Sequence, residues 1–241
     1  HQWWGNVVTS TAQQDDWLME ALANYSALMM LEQKKGSKEM QRVLAQYREM
    51  LLAKDADGAT VESTGPIRLG LRLQSSQNPA AWRNIVYDKG SWILHMLRAR
   101  MGDASFRAML GEFARQHRFQ SVTAVQFRET AAAHMPRGAP DASLESFFES
   151  WVESTGIPTL SLSHKLTGKA PALSLQLTLR QSGVEEHFST VAPVVIETPR
   201  QKPRVIWMQT GPEPVAMTVP LRAAPSKVSL DPENAVLAVK Q

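Results

Sequence analysis

Cysteine is absent from the 241 residues, which excludes a disulfide framework, a thiolate nucleophile and any cysteine-ligated metal. Metal chemistry would have to draw on His, Asp and Glu. No apolar run is long enough to span a bilayer. A charge excess of one sign is also missing: 26 Lys and Arg stand against 23 Asp and Glu, a formal net charge of +3. Although the isoelectric point is about 9.3, no basic cluster is denser than Lys34-Lys35 or Arg98 with Arg100. Dispersed and balanced in this way, the basic residues make no nucleic-acid footprint. There is no G-x-S-x-G nucleophile turn and no glycine-rich phosphate loop. What is present is 43% hydrophobic residues in a 26.8 kDa chain, enough for a buried core and too apolar for intrinsic disorder.

Proline is scarce in the first part of the chain, with four of the fourteen in residues 1–157 and ten in 158–241. Six of the seven tryptophans lie in the first part. Residues 1–157 read as helical, because apolar residues recur at three and four between start and stop signals. Gly5 could end an incoming helix. Asp15 or Asp16 can cap one over 17–34 that stops at Gly36, and Ser37 begins the next, with Met40, Val43, Leu44, Tyr47 and Leu51 on one face. A Gly, Ser and Pro-rich loop follows over 55–82, long enough to suggest a functional role. A nearly all-apolar helix spans 90–101, Asp103 caps another, and Thr123 with Gln126 forms a capping box. The last helix carries Leu144, Phe147, Phe148, Trp151 and Val152.

From Pro158 the period changes to two. Leu173, Leu175, Leu177 and Leu179 alternate with Ser, Gln and Thr, a half-buried strand. Comparable runs at 159–166, 191–197, 204–210, 214–221, 226–230 and 235–239 predict a small antiparallel β-sandwich over 158–241. The fold class is therefore α + β in separate domains.

The helix over 17–34 is apolar on nearly every face and should be buried all round, yet Glu20 sits in its first turns. A carboxylate withdrawn from water needs a partner. A salt bridge to an arginine, or exposure near the favourable end of the helix dipole, would satisfy it. The other reading pairs Glu20 with His1, eighteen residues lying between them, as two ligands of a zinc ion. Tyr87 by itself reads as a ring packed with its hydroxyl in solvent, Lys89 as a solvated charge, and His95 as a satisfied core or interface histidine. His117, His134, His164 and His187 sit at helix ends or in strand edges and turns, and most methionines fill core.

The wording around these residues resembles one family. His1-Gln2-Trp3-Trp4-Gly5-Asn6, then Trp17-Leu18-Met19-Glu20-Ala21-Leu22-Ala23-Asn24-Tyr25, then Tyr87-Asp88-Lys89-Gly90 is similar to the M1 zinc metallopeptidases, the gluzincin aminopeptidases, whose H-E-x-x-H motif is followed after eighteen residues by a Glu. Phe147-Phe148-Glu149-Ser150-Trp151 before Gly156-Ile157-Pro158-Thr159 resembles the end of the family's helical domain. The resemblance implies a thermolysin-like helical subdomain, Zn2+ bound at His1 as second motif histidine and at Glu20 as third ligand, Tyr87 as catalytic tyrosine and a peptide substrate. It also implies that the first zinc histidine and the general-base Glu belong to a missing N-terminal part of the same polypeptide, so this chain alone should hold zinc poorly and be inactive. Family habit and the lack of Cys favour an exported or cell-envelope location. Where the family has N-E-G, this chain has Met19-Glu20-Ala21. That departure supports an alternative, a non-catalytic M1-like module that binds peptides or proteins. Asn24 and Trp17 are expected to shape the Glu20 helix.

Overall fold

The computed structural model describes residues 3–74 and 78–241 and divides into two compact units. The first takes residues up to 138 together with 142–156; the second takes 139–141 and 157–241.

In the first unit, Trp3 to Val8 form a turn in which Gly5 has positive φ and the Val7 N–H donates to the Trp3 carbonyl at 2.8 Å. Gly5 therefore precedes a strand, β1 (Val8–Ser10), and closes no helix among the described residues. Helix α1 (Asp16–Lys35) runs to Gly36 and α2 (Ser37–Leu52) follows at once. Trp17, Leu18, Ala21 and Leu22 are fully buried, each large side chain contributing about 1.5–3 kcal/mol of apolar transfer. The burial all round expected of this helix holds for its first two turns only. Beyond Tyr25 it has a wet face with Ala27 and Met30 exposed, because α2 covers it from one side.

The expected capping by Asp15 or Asp16 is replaced by tertiary bonds. Asp15 makes no cap bond to α1, and its carboxylate instead accepts the Ala124 N–H at 3.0 Å, at the start of a helix more than a hundred residues away. The Asp16 carboxylate takes the Ser10 hydroxyl. The stretch expected as one long loop is punctuated by two 3-10 segments, Glu62–Thr64 and Ile67–Leu73. The short α3 (Ala81–Arg83) widens into a π-helical turn over Asn84–Lys89 before α4 (Gly90–Met101). Then come α5 (Asp103–Gln116), β2 (Gln120–Val122), which pairs parallel with β1, and α6 (Ala124–Ala133). Asp103 is the first helical residue of α5 and makes no cap bond; it ion-pairs with Arg98 and Arg107 instead. Thr123 and Gln126 do form the capping box of α6. A short α7 (Glu145–Phe148) runs into a second π turn, Glu149–Glu153.

The second unit holds two sheets. Strands β3 (Thr159–Lys169) and β4 (Ala172–Ser182) form an eleven-residue antiparallel hairpin, flanked by β7 (Val215–Leu221) on β4 and by β9 (Val239–Lys240) on β3, in the order β7-β4-β3-β9. The β3–β9 pair is parallel, the one departure from the antiparallel expectation here. The other sheet is β6-β5-β8, from β5 (Val191–Glu197), β6 (Arg204–Gln209) and β8 (Lys227–Leu230). The alternation read along β4 is realised: Leu173, Leu175, Leu177 and Leu179 are buried while the intervening residues are not. No described helix is long and apolar enough to cross a membrane.

Candidate active site

Glu20 lies one turn inside α1, where the apolar residues on either side force the rest of the helix into the core. It opens onto a cavity of about 370 Å3. Trp17 and Met19 share that wall with it, Thr9 and Ser10 of β1 contribute a polar side, and Leu71, Trp82 and Val86 an apolar one. Gly70 completes the lining at φ +54, and a Cβ there would stand 2.8 Å from the Gln13 carbonyl oxygen, so only glycine lets the two backbones meet.

Tyr87 reaches Glu20 from the π turn. Such a wide turn lengthens the hydrogen-bond ladder to i→i+5 and re-aims its side chains, and π turns recur at functional sites. The Tyr87 phenol lies near enough to the Glu20 carboxylate for the two to interact electrostatically, and its ring lies edge-on to Trp82 with centroids 5.7 Å apart. Burial pushes the phenol up to about 12, and the neighbouring Glu20 carboxylate adds to that, while Arg83 opposes it. At neutral pH Tyr87 thus keeps its proton, the form able to stabilise a developing oxyanion and unable to act as a base.

Main-chain placement of Tyr87 comes from Asn24, on α1. Its amide N–H groups donate to Ser91 Oγ at 2.9 Å, Tyr47 Oη at 3.2 Å and the Tyr87 carbonyl at 3.3 Å.

Lys89, expected as a solvated charge, is fully buried. Its Nζ pairs with Glu62 Oε1 at 2.7 Å and donates to the Ser154 carbonyl at 3.3 Å, while Glu62 Oε2 accepts the Gly156 N–H at 2.7 Å. The physical reason is the π turn, which points Lys89 inward, where a charge persists only when paired and hydrogen-bonded. Asp88 is buried as well, and burial raises its carboxyl to about 7, with Arg83 lowering it in part. His95, expected as a satisfied core or interface histidine, is half-buried, with Nδ1 3.0 Å from the Tyr25 hydroxyl.

The two departures from N-E-G have different addresses. Met19 is buried and lines the cavity beside Glu20. Ala21 packs on α4, where a Cβ on Gly90 would come within 2.7 Å of its methyl. His1 lies outside the described residues. Among the described residues no group of three or more His, Asp or Glu could hold a metal; the cavity is lined by two carboxylates, Glu20 and Asp16, the latter taking the Ser10 hydroxyl. Sequence reasoning brought Glu20 and Tyr87 to one site but missed the ion pair of Lys89 and the burial of Asp88. The i,i+4 spacing puts Glu20 and Asn24 on one face of their helix but gives no signal of the bond to the Tyr87 carbonyl.

Comparison with known proteins points to one family. Residues 1–151 match the profile described as the Peptidase family M1 domain. Aminopeptidase RNPEPL1 of Homo sapiens is 27% identical over 188 residues, covering 72% of this chain and 25% of that protein. Aminopeptidase N of Lactococcus lactis subsp. cremoris is 29% identical over 166 residues, 67% of this chain and 18% of that protein. The chain thus spans a quarter or less of the length of these relatives. The crystal structure of Legionella pneumophila aminopeptidase A in complex with aspartic acid covers all of this chain and 26% of its own, at 17% identity and a TM-score of 0.69, a likeness of fold.

Proposed function

This chain belongs to peptidase family M1, and from that premise we propose that it carries one side of the active site of a zinc-dependent aminopeptidase-like hydrolase acting on peptides. The observation that carries the reading is the nearness of the Tyr87 phenol to the Glu20 carboxylate, which lines a cavity roomy enough for an amino-acid side chain. In this reading Glu20 and His1 would hold the Zn2+. The zinc, when bound, supplies Lewis-acid polarisation of the scissile carbonyl and a water acidified toward a pKa of about 7. The neutral Tyr87 hydroxyl would donate to the carbonyl oxygen as it gains charge.

Residues 1–157 would form the helical part of a thermolysin-like catalytic domain, and 158–241 an Ig-like sandwich made from the two sheets. A catalytic zinc takes three protein ligands and keeps one open position, and His1 with Glu20 makes two. The chain by itself is therefore expected to hold zinc weakly and to have no turnover. The test compares this chain with one carrying His-Glu-Xaa-Xaa directly before His1, by zinc titration and by hydrolysis of an aminoacyl p-nitroanilide. The added residues should tighten zinc binding, and Glu20→Ala should abolish the gain. Tight one-to-one zinc and turnover by the unextended chain would sink the proposal.

Met19 favours a second reading, a non-catalytic M1-like binding module, since it puts an apolar side chain beside Glu20 where the family has a polar one. Ala21 lends it no support, because its methyl faces Gly90. An extended chain that gains no zinc affinity would favour this reading.

A further inference from the structure

We infer that Asn24 is the positioning residue for Tyr87, holding its main chain so that its hydroxyl is free to change partners; this rests on the reading of Glu20 and Tyr87 given above. Asn24 and Glu20 are one turn apart on α1 and share a face, separated by about 6 Å along the axis. Tyr87 meets that face at both ends: its phenol is beside the Glu20 carboxylate, and its carbonyl oxygen accepts from the Asn24 amide at 3.3 Å. A carbonyl only accepts, so the amide of Asn24 must turn its nitrogen toward it. That nitrogen has two hydrogens and three acceptors within 3.3 Å. The Ser91 hydroxyl, nearest at 2.9 Å, takes one hydrogen, and the other is shared between the Tyr87 carbonyl and Tyr47 Oη.

The need for this bond follows from the π turn. Widening of the ladder loosens the backbone restraint at the turn. A hydroxyl that must turn to an oxyanion cannot also locate its own residue. Placement has to come from the other end of Tyr87, and Asn24 supplies it from the helix that bears Glu20, so the two groups keep their register. Tyr47 and Ser91 hold the amide in turn and join α2 and α4 to the same point.

The test uses the whole 241-residue chain labelled with 3-fluorotyrosine, whose three tyrosines yield three fluorine resonances; Tyr87→Phe assigns the relevant one. Asn24→Asp keeps the shape of the side chain but has no N–H to give, and the Tyr87 resonance should shift or broaden while that of Tyr25 stays dispersed. Ser91→Ala leaves the amide free to donate to the carbonyl and should leave the Tyr87 resonance in place. An unmoved Tyr87 signal in folded Asn24→Asp overturns the inference. So does a Ser91→Ala shift as large as that of Asn24→Asp, because packing of α1 on α4 would then set the position. In a form with turnover, Asn24→Asp should lower kcat about tenfold at unchanged KM, the scale of one hydrogen bond between uncharged groups. Undiminished kcat in Tyr87→Phe would remove the catalytic role of Tyr87 and leave the fluorine result standing, so the two failures are distinguishable.

Discussion

Asp88 sits one residue beyond the tyrosine at the centre of the site, and its carboxyl is raised by burial to about 7 from 3.8. A folded-state pKa above the unfolded value means that the native chain binds this proton more tightly. Stability from this group is therefore full below about pH 4 and declines as pH rises toward 7, as linkage requires. Asp88→Asn should remove the decline: urea denaturation at pH 8 would show the variant more stable than the parent, with the difference shrinking at pH 4–5. An equal difference at both pH values would mean that Asp88 is not the titrating group. Tyr87 behaves in the opposite functional sense, since its raised phenol stays protonated through the neutral range and keeps its donor.

At the scale of elements, the Glu20 helix and the helix after the π turn meet at a glycine. Gly90 opens α4, and its missing side chain makes room for the Ala21 methyl; an added Cβ would stand only 2.7 Å away. The contact lies between rigid helical backbones, so the strain cannot be relieved by a rotamer change. Gly90→Ala should destabilise the chain by about 1–3 kcal/mol through overpacking. Adding Ala21→Gly, which restores the family's glycine at that position, should recover most of the loss, and a thermal or urea melt of the double variant checks the coupling. The capping box of α6 shows the opposite balance. Thr123 and Gln126 bond across three residues, so local spacing alone predicts it. Asp15, with the same capping chemistry, goes instead to the backbone of α6, where it satisfies an otherwise orphaned N–H.

Across the first unit as a whole, the buried pair of Lys89 and Glu62 joins three stretches of chain, at residues 62, 89 and 154–156. Breaking such a pair from one side leaves an uncompensated buried charge. Lys89→Ala should therefore cost about 3–5 kcal/mol. The double variant Lys89→Met with Glu62→Leu should recover part of it, the remainder being the lost acceptor of Gly156. Urea midpoints of the three chains measure the difference. This pair also holds the end of the π turn while Asn24 holds its middle, so the tyrosine of the site is placed by contacts from several parts of the unit.

By itself the sequence determined the division into a helical part and a β part, the buried face of the long β4 strand and the capping box at Thr123. These are local or periodic properties, set by spacings of two, three or four residues and by short motifs. Only the tertiary structure decided that Lys89 is buried, that Asp88 is raised, that Asp15 caps a distant helix and that Asn24 holds the Tyr87 carbonyl. Each depends on which groups meet across long separations in the chain. The π turn at Asn84–Lys89 determines which way its side chains face, and nothing in the spacing of Tyr87, Asp88 and Lys89 signals it. A charged or polar side chain reveals its partner only once the backbone has brought the two out of water together.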